Sequence, residues 1–190
     1  MQHDIFALQH ALAGVLTEKR LYHSLGVQGF SCALALRYGC DAKKANLAGL
    51  IHDCAKYLPD MELLAECERN NITVKEVERR NPFLLHSKLG AFYAKTRYNI
   101  EDSDILSAVA CHTTGKPDMS LLEKIVFTAD YIEPNRSAEH IPDLESIRAL
   151  AFRDLDSAVY QILDNTLRYL EGRRKEIDSL TVDAYHYYRN

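Results

Sequence analysis

The sequence predicts an all-α fold. Three observations carry the prediction. Apolar residues recur at helical spacing along nearly the whole chain, no stretch alternates convincingly between apolar and polar residues, and capping or breaking residues fall where the periodic stretches end. Ile5, Leu8, Leu12, Val15 and Leu16 share one face of a first helix, with Asp4 as its N-cap. A second helix holds His23 and runs through Val27, Phe30 and Leu34 to Tyr38, where Gly39 is placed to end it in the left-handed conformation. Asp41 caps a third, through Leu47, Leu50, Ile51 and Cys54, stopped by Pro59. A short helix follows from Pro59-Asp60 to about Arg69 and is broken by Asn70-Asn71. The charged residues 73–80 read as a solvated turn of helix, and Asn81-Pro82 breaks the chain again. A helix with His86, Leu89, Phe92 and Tyr93 comes next. Asp102 or Ser103 caps one carrying Leu106, Val109 and Ala110, which ends at Thr113-Thr114-Gly115. Ser120 starts another that reaches Asp130 before Pro134, and a long final helix spans roughly 154–175. The tyrosine-rich tail (Tyr185, Tyr187, Tyr188) is expected to pack on the body or on a partner.

The bulk composition narrows the function. A chain of 190 residues without repeats or linkers reads as one domain, long enough to bury a core without disulfides or a structural metal. Metal ligands in it are therefore catalytic rather than stapling. The net charge of −4 argues against a general nucleic-acid or anionic-membrane binder, because either needs a basic field. It leaves room for a local basic pocket that holds a small phosphorylated ligand. The five cysteines are odd in number and lack Cys-x-x-Cys spacing, which points to reduced thiols and a cytoplasmic location. The first residues lack a basic-then-apolar signal layout, and no apolar run approaches the roughly 20 residues that cross a bilayer.

The chemistry is concentrated in six side chains: His23, His52, Asp53, His86, His112 and Asp130. Four imidazoles and two carboxylates on facing helices are the right donors for two divalent ions among iron, manganese, cobalt, nickel and zinc. A two-ion site of this kind suits hydrolysis of a phosphate ester or anhydride. Asp53 has two oxygens and can bridge two ions while His52 binds one. Lys56, three residues after Asp53 and four after His52, is read on the same helical face, where its ammonium can neutralise a phosphate. Each histidine taken singly reads as structural or exposed. His3, His10, His140 and His186 lack a supporting local motif and are set aside. Asp130 in apolar surroundings calls for a partner, and Arg136 or a helix cap would also serve. Catalysis by Cys54 or Cys111 is disfavoured, because neighbours on a helix diverge by about 100° and pair poorly with the adjacent Asp53 or His112.

The order of these residues, His … His-Asp … His … His … Asp, resembles the HD-domain metal-dependent phosphohydrolase superfamily. The nearer resemblance is to its YqeK-type branch, the symmetrical bis(5'-nucleosyl)-tetraphosphatases. The strings that carry it are Arg20-Leu21-Tyr22-His23-Ser24, Gly49-Leu50-Ile51-His52-Asp53-Cys54-Ala55-Lys56 and Leu85-His86-Ser87 with Gly90-Ala91. His112-Thr113-Thr114-Gly115 and Ala129-Asp130-Tyr131-Ile132-Glu133-Pro134-Asn135-Arg136 continue it, and the last two are the specific ones. The likeness covers about residues 5–175. It implies an HD-type helical bundle with a binuclear iron centre in its core. The implied reaction cleaves diadenosine tetraphosphate into two ADP. It also implies that His23, His52, Asp53 and Asp130 hold one ion and that Asp53, His86 and His112 hold the other.

In this reading Asp53 and Lys56 are the catalytic residues. Substrate contacts are expected from Arg20, His23, Lys56, His86, His112, Thr113, Thr114, Lys116, Arg136 and Arg173. For Arg136 an ion pair with Glu133 or Asp130 is the competing reading, and for Arg20, Lys116 and Arg173 a solvated charge. The partner is a small dinucleoside polyphosphate rather than a nucleic acid or membrane, and a homodimer is plausible. The rivals are an HD-type enzyme acting on another nucleotide, a nucleotide sensor that keeps the fold without catalysis, and a plain helical scaffold.

Overall fold

The capping residues decide where the helices begin. A computed structural model describes residues 3–139 and 141–189, so His140 lies outside the described residues. Among the described residues there are eleven α-helices and no strand. They are α1 (Ile5–Ala13), α2 (Glu18–Tyr38), α3 (Ala42–Ile51), α4 (Asp60–Arg69), α5 (Glu76–Arg80) and, after a tight helical turn at Pro82–Leu84, α6 (Leu85–Thr96). Then come α7 (Ser103–Cys111), α8 (Leu121–Ile132), α9 (Leu144–Ala151), α10 (Leu155–Gly172) and α11 (Ser179–Tyr188). The carboxylates of Asp4, Asp41, Asp102 and Asp154 each accept from first-turn amides, which would otherwise lack partners. Ser120 and Glu123 cap α8 reciprocally. Gly39 ends α2 with φ 72° and ψ 27°, as its position predicts.

The long helix α2 is the spine, packed against α3, α8 and the shorter α1. It meets α3 closely because Gly49 has no side chain. A Cβ there would lie 2.7 Å from Ser31 Oγ and 2.9 Å from the Val27 carbonyl oxygen. The helix pair α6 and α7 closes the other side, and α7 and α8 join the two. Leu50, Ile51, Leu89, Ile125 and Ile132 are fully buried between these helices. Each such side chain stabilises the fold by roughly 1.5–3 kcal/mol relative to its exposed state.

Several boundaries differ from the sequence reading. The first helix stops at Ala13, because the Gly14 turn redirects the chain and Thr17 caps α2. Leu16 is still buried, but Val15 is 42% exposed. The third helix stops at Ile51, so His52-Asp53 and Lys56 lie in the turns beyond it. Residues 73–80 are not merely solvated. Glu78 is buried and accepts from the Lys75 amide at 2.7 Å and from the Lys88 ammonium at 2.6 Å.

Two helices were not anticipated. Helix α9 buries Leu144, Ile147 and Ala151, too short a pattern to stand out, and starts at Asp143 in the left-handed conformation. Helix α10 ends at Gly172, and the tyrosine-rich tail forms α11. That tail packs on the body. Tyr185 stacks on Tyr160, the Met119 amide donates to Tyr188 Oη at 2.8 Å, and Tyr187 Oη donates to Asp118 at 3.0 Å.

Candidate metal centre

The six predicted donors converge. His23 comes from the middle of α2, His52 and Asp53 from the end of α3, His86 from the first turn of α6, His112 from the end of α7, and Asp130 from α8. All four histidines and Asp53 are buried. Asp53 stands between two groups. Its Oδ2 lies 3.7 Å from His23 Nε2 and 3.5 Å from His52 Nε2, and its Oδ1 lies 3.3 Å from His86 Nε2 and 3.5 Å from His112 Nε2. Asp130 Oδ1 joins the first group, 3.0 Å from His23 Nε2 and 3.9 Å from His52 Nε2.

Local backbone chemistry aims the rings. A helix leaves its last carbonyls without amide donors. At the ends of α3 and α7 a histidine side chain supplies the donor instead. His52 Nδ1 lies 2.7 Å from the Gly49 carbonyl and His112 Nδ1 lies 2.7 Å from the Val109 carbonyl. His86 Nδ1 reaches the Phe83 carbonyl in the same three-residue pattern. These partners place the proton on Nδ1 and turn each bare Nε2 toward the centre, the arrangement that a metal-ligating imidazole needs. Two helix C-termini, of α3 and α7, also bring their negative dipole ends to the cluster, which favours cations there.

The donor set fits divalent ions on two counts. The Nε2 atoms of His23 and His52 stand 3.3 Å apart, and the bare Nε2 atoms of His86 and His112 meet at 3.1 Å, where lone pair faces lone pair. Asp53 Oδ1 is buried and has no hydrogen-bond donor among the described residues. A cation among these atoms satisfies both. His23, His52 and Asp130 offer donor atoms all within 4.8 Å of one another, as do His52, Asp53 and His112.

The electrostatics agree with a cation-seeking cluster. Burial works to raise the Asp53 pKa, but the surrounding imidazoles win and hold it well below the ordinary value. For Asp130 burial is likewise outweighed, by His23 and Arg136. Burial lowers His52, and lowers His86 to about 4. At His23 burial pulls downward, but the hydrogen bonds to Asp130 and Glu133 prevail and raise it.

The expected substrate contacts separate into two sets. Arg20 Nη1 lies 2.7 Å from Asp53 Oδ2 and Arg136 Nη2 lies 2.7 Å from Asp130 Oδ1, so both guanidiniums stand at the first group while remaining about one-third exposed. Lys56 reaches the second group, with Nζ 2.9 Å from His86 Nδ1, although it arrives from a turn rather than a helical face. Burial lowers its pKa. Thr113 Oγ1 stands 3.1 Å from His86 Nε2 and 3.2 Å from His112 Nε2. Three others are engaged elsewhere. Thr114 donates to the Gly115 carbonyl, Lys116 pairs with Glu123 at 2.7 Å, and the Arg173 guanidinium lies 4.9 Å from the centre of the Tyr169 ring.

Sequence reasoning passed over other residues at the site. Phe83 has Lys56 Nζ 5.7 Å and Lys175 Nζ 5.8 Å from its ring centre. Glu133 was read only as a partner for Arg136, yet its Oε1 lies 3.1 Å from His23 Nδ1. Arg148 on the unanticipated α9 donates to the carbonyls of Ile132 and Glu133 at 2.8 and 2.7 Å and fixes the end of α8.

With this geometry in place, the HD domain family matches residues 20–135, a span from Arg20 to Asn135 that contains all six donors. The chain belongs to that family. This HD domain protein is 37% identical over 182 residues to the symmetrical bis(5'-nucleosyl)-tetraphosphatase of Bacillus subtilis, covering 94% of this chain and 96% of the relative. It is 40% identical over 171 residues to the enzyme of that name from Halalkalibacterium halodurans, covering 90% and 89%. A crystal structure from Clostridium acetobutylicum, described as a predicted HD superfamily hydrolase involved in NAD metabolism, superposes with a TM-score of 0.94 at 37% identity, covering 100% of this chain and 98% of that one. No helix among the described residues is long and apolar enough to cross a membrane.

Proposed function

We propose that the chain hydrolyses bis(5'-nucleosyl) tetraphosphates symmetrically, converting diadenosine tetraphosphate into two ADP at a centre of two divalent ions, with iron as the native metal. One observation carries this reading: the two oxygens of Asp53 face two separate pairs of imidazoles. A carboxylate so placed would serve two ions at once, with His23, His52 and Asp130 holding one and His86 and His112 the other. The tetraphosphatase name shared by relatives at 37% and 40% identity supports the substrate. Iron is carried over from the resemblance read in the sequence alone.

Bound divalent ions supply Lewis acidity and bring the pKa of water down toward neutrality. The chain does the rest. Asp53 holds the two sites in register, and Nδ1 bonds to Gly49, Val109 and Phe83 keep the imidazoles from turning away. Arg20, Lys56 and Arg136 surround the cluster with positive charge and neutralise the tetraphosphate, since phosphoryl transfer asks chiefly for positioning and charge stabilisation. Thr113 offers a hydroxyl beside His86 and His112 for a phosphate oxygen or water.

The remaining proposals concern context. One continuous buried cluster from Leu12 to Ala184 supports a single domain over 1–190. Five free cysteines support the cytoplasm. Because the tyrosine-rich tail is used within the chain, support for a homodimer shifts to exposed apolar side chains such as Phe6, 82% exposed, and Leu36, 72% exposed. Elemental analysis of freshly purified protein, beside an assay that resolves ADP from ATP and AMP, tests the central reading. Two metal equivalents and ADP alone are expected. ATP plus AMP, or protein without metal, refutes it.

A further inference from the structure

His23 differs from the other three imidazoles in where its Nδ1 proton goes. His52, His86 and His112 each sit at a helix end or first turn and use a carbonyl three residues back. His23 lies in the middle of α2, where the neighbouring carbonyls are already engaged in the helix. Its acceptor is a carboxylate 110 residues away, Glu133 Oε1 at 3.1 Å, only 1% exposed. The other carboxylate oxygen, Oε2, accepts from the Asn135 amide at 2.7 Å and from Asn135 Nδ2 at 2.9 Å. The space for this carboxylate exists because position 26 is glycine. A Cβ on Gly26 would lie 2.3 Å from Glu133 Oε2, 3.1 Å from Pro134 Cδ and 3.2 Å from Asn135 Nδ2. Gly29, one turn further along α2, has nothing within 4 Å.

We infer that Glu133 is a positioning residue that fixes the orientation and donor strength of His23, and that Gly26 is bare in order to admit it. The inference rests on the two-ion reading above. A charged acceptor on Nδ1–H pushes electron density toward Nε2 and makes the ring a stronger ligand than one bonded to a neutral carbonyl. Glu133 therefore tightens one half of the centre selectively, the half shared by His23, His52 and Asp130.

The test is calorimetric titration of metal-stripped full-length protein with Mn2+, beside the melting temperature of the metal-free form. Wild type is expected to bind in two classes. E133Q keeps the size and an acceptor oxygen but loses the charge. It is expected to weaken one class by about 10–100-fold and leave the other and the metal-free melting temperature near wild type. G26A, which displaces the carboxylate without touching His23, is expected to weaken the same class, whereas G29A binds as wild type. The inference is overturned if E133Q binds both classes as wild type does. It is equally overturned if both classes weaken together with a fall in melting temperature, the signature of a merely structural role. Wild type that binds no Mn2+ refutes the metal centre itself, and this inference with it.

Discussion

The two halves of the centre share Asp53 and differ in nearly everything else. The His23–His52 half is rich in charge: Asp130 joins it directly, Glu133 backs His23, and Arg20 and Arg136 close on its carboxylates. Among the described residues, the His86–His112 half has no second carboxylate of its own. Both rings lean on neutral carbonyls, and the nearest other groups are the Lys56 ammonium and the Thr113 hydroxyl. The difference implies a division of labour. On the proposed two-ion reading, the first half would retain its ion more tightly. The second offers fewer protein donors and would leave more room for water or substrate, the property of a reactive position.

The largest effect is expected where the halves meet. Asp53→Asn removes the charge common to both and turns an amide NH2 toward one group of imidazoles. ADP release should fall on the order of 10³-fold or more, the scale of losing a principal electrostatic element, and bound metal should fall at both positions. Metal content and turnover near wild type would mean that Asp53 does not bridge.

Next in size are changes that strike one half alone. Asp130→Asn should remove the tighter class of metal binding, and His112→Gln the weaker one, each lowering turnover by roughly 10²-fold or more. Graded chelation of the wild type, followed by metal analysis, should accordingly release one equivalent well before the other. Release of both together would abolish the contrast. Lys56→Met should cost less, about 10²-fold in kcat/KM with metal content intact, because it removes a charge that faces the substrate and not a ligand. Loss of metal in that variant would instead make Lys56 part of the structure of the second half.

The same contrast explains what the sequence could reveal. The six side chains that converge were legible because imidazole and carboxylate types, and their order along the chain, survive without coordinates. Local rules also held: Asp4, Asp41, Asp102, Ser120 and Gly39 mark the helix ends that their chemistry dictates. Distant partners were the weak point. The early end of α3 depends on His52 donating to Gly49, which periodicity cannot register. The Glu133–His23 bond spans 110 residues, and its only local trace is a glycine on a helix face at position 26. Helix α9 shows three buried apolar residues in eight, and its use, holding the end of α8 through Arg148, is visible only in three dimensions. For Lys116 and Arg173 a sequence displays charge without showing its neighbours, here Glu123 for Lys116 and the Tyr169 ring for Arg173.

The smallest effect belongs to α8 at the end remote from Asp130. Glu123 is buried there, caps the helix through Ser120, pairs with Lys116 at 2.7 Å and accepts from Ser107. Burial would raise its pKa above 4.5, but Lys116 and these hydrogen bonds prevail and hold it lower. A carboxyl with a depressed folded pKa contributes stability that is complete above its unfolded value and disappears as pH falls through the folded one. Glu123→Gln should therefore cost roughly 1–3 kcal/mol in denaturant unfolding of the metal-free protein at pH 7. The gap from wild type should narrow as pH drops below 4.5, once the wild-type carboxyl is itself protonated. Mn2+ binding in both classes should be unaffected at pH 7, because Glu123 contacts neither half. A gap that stays constant down to pH 3 would show that its charge contributes nothing, and a change confined to one metal class would show that the two ends of α8 are coupled.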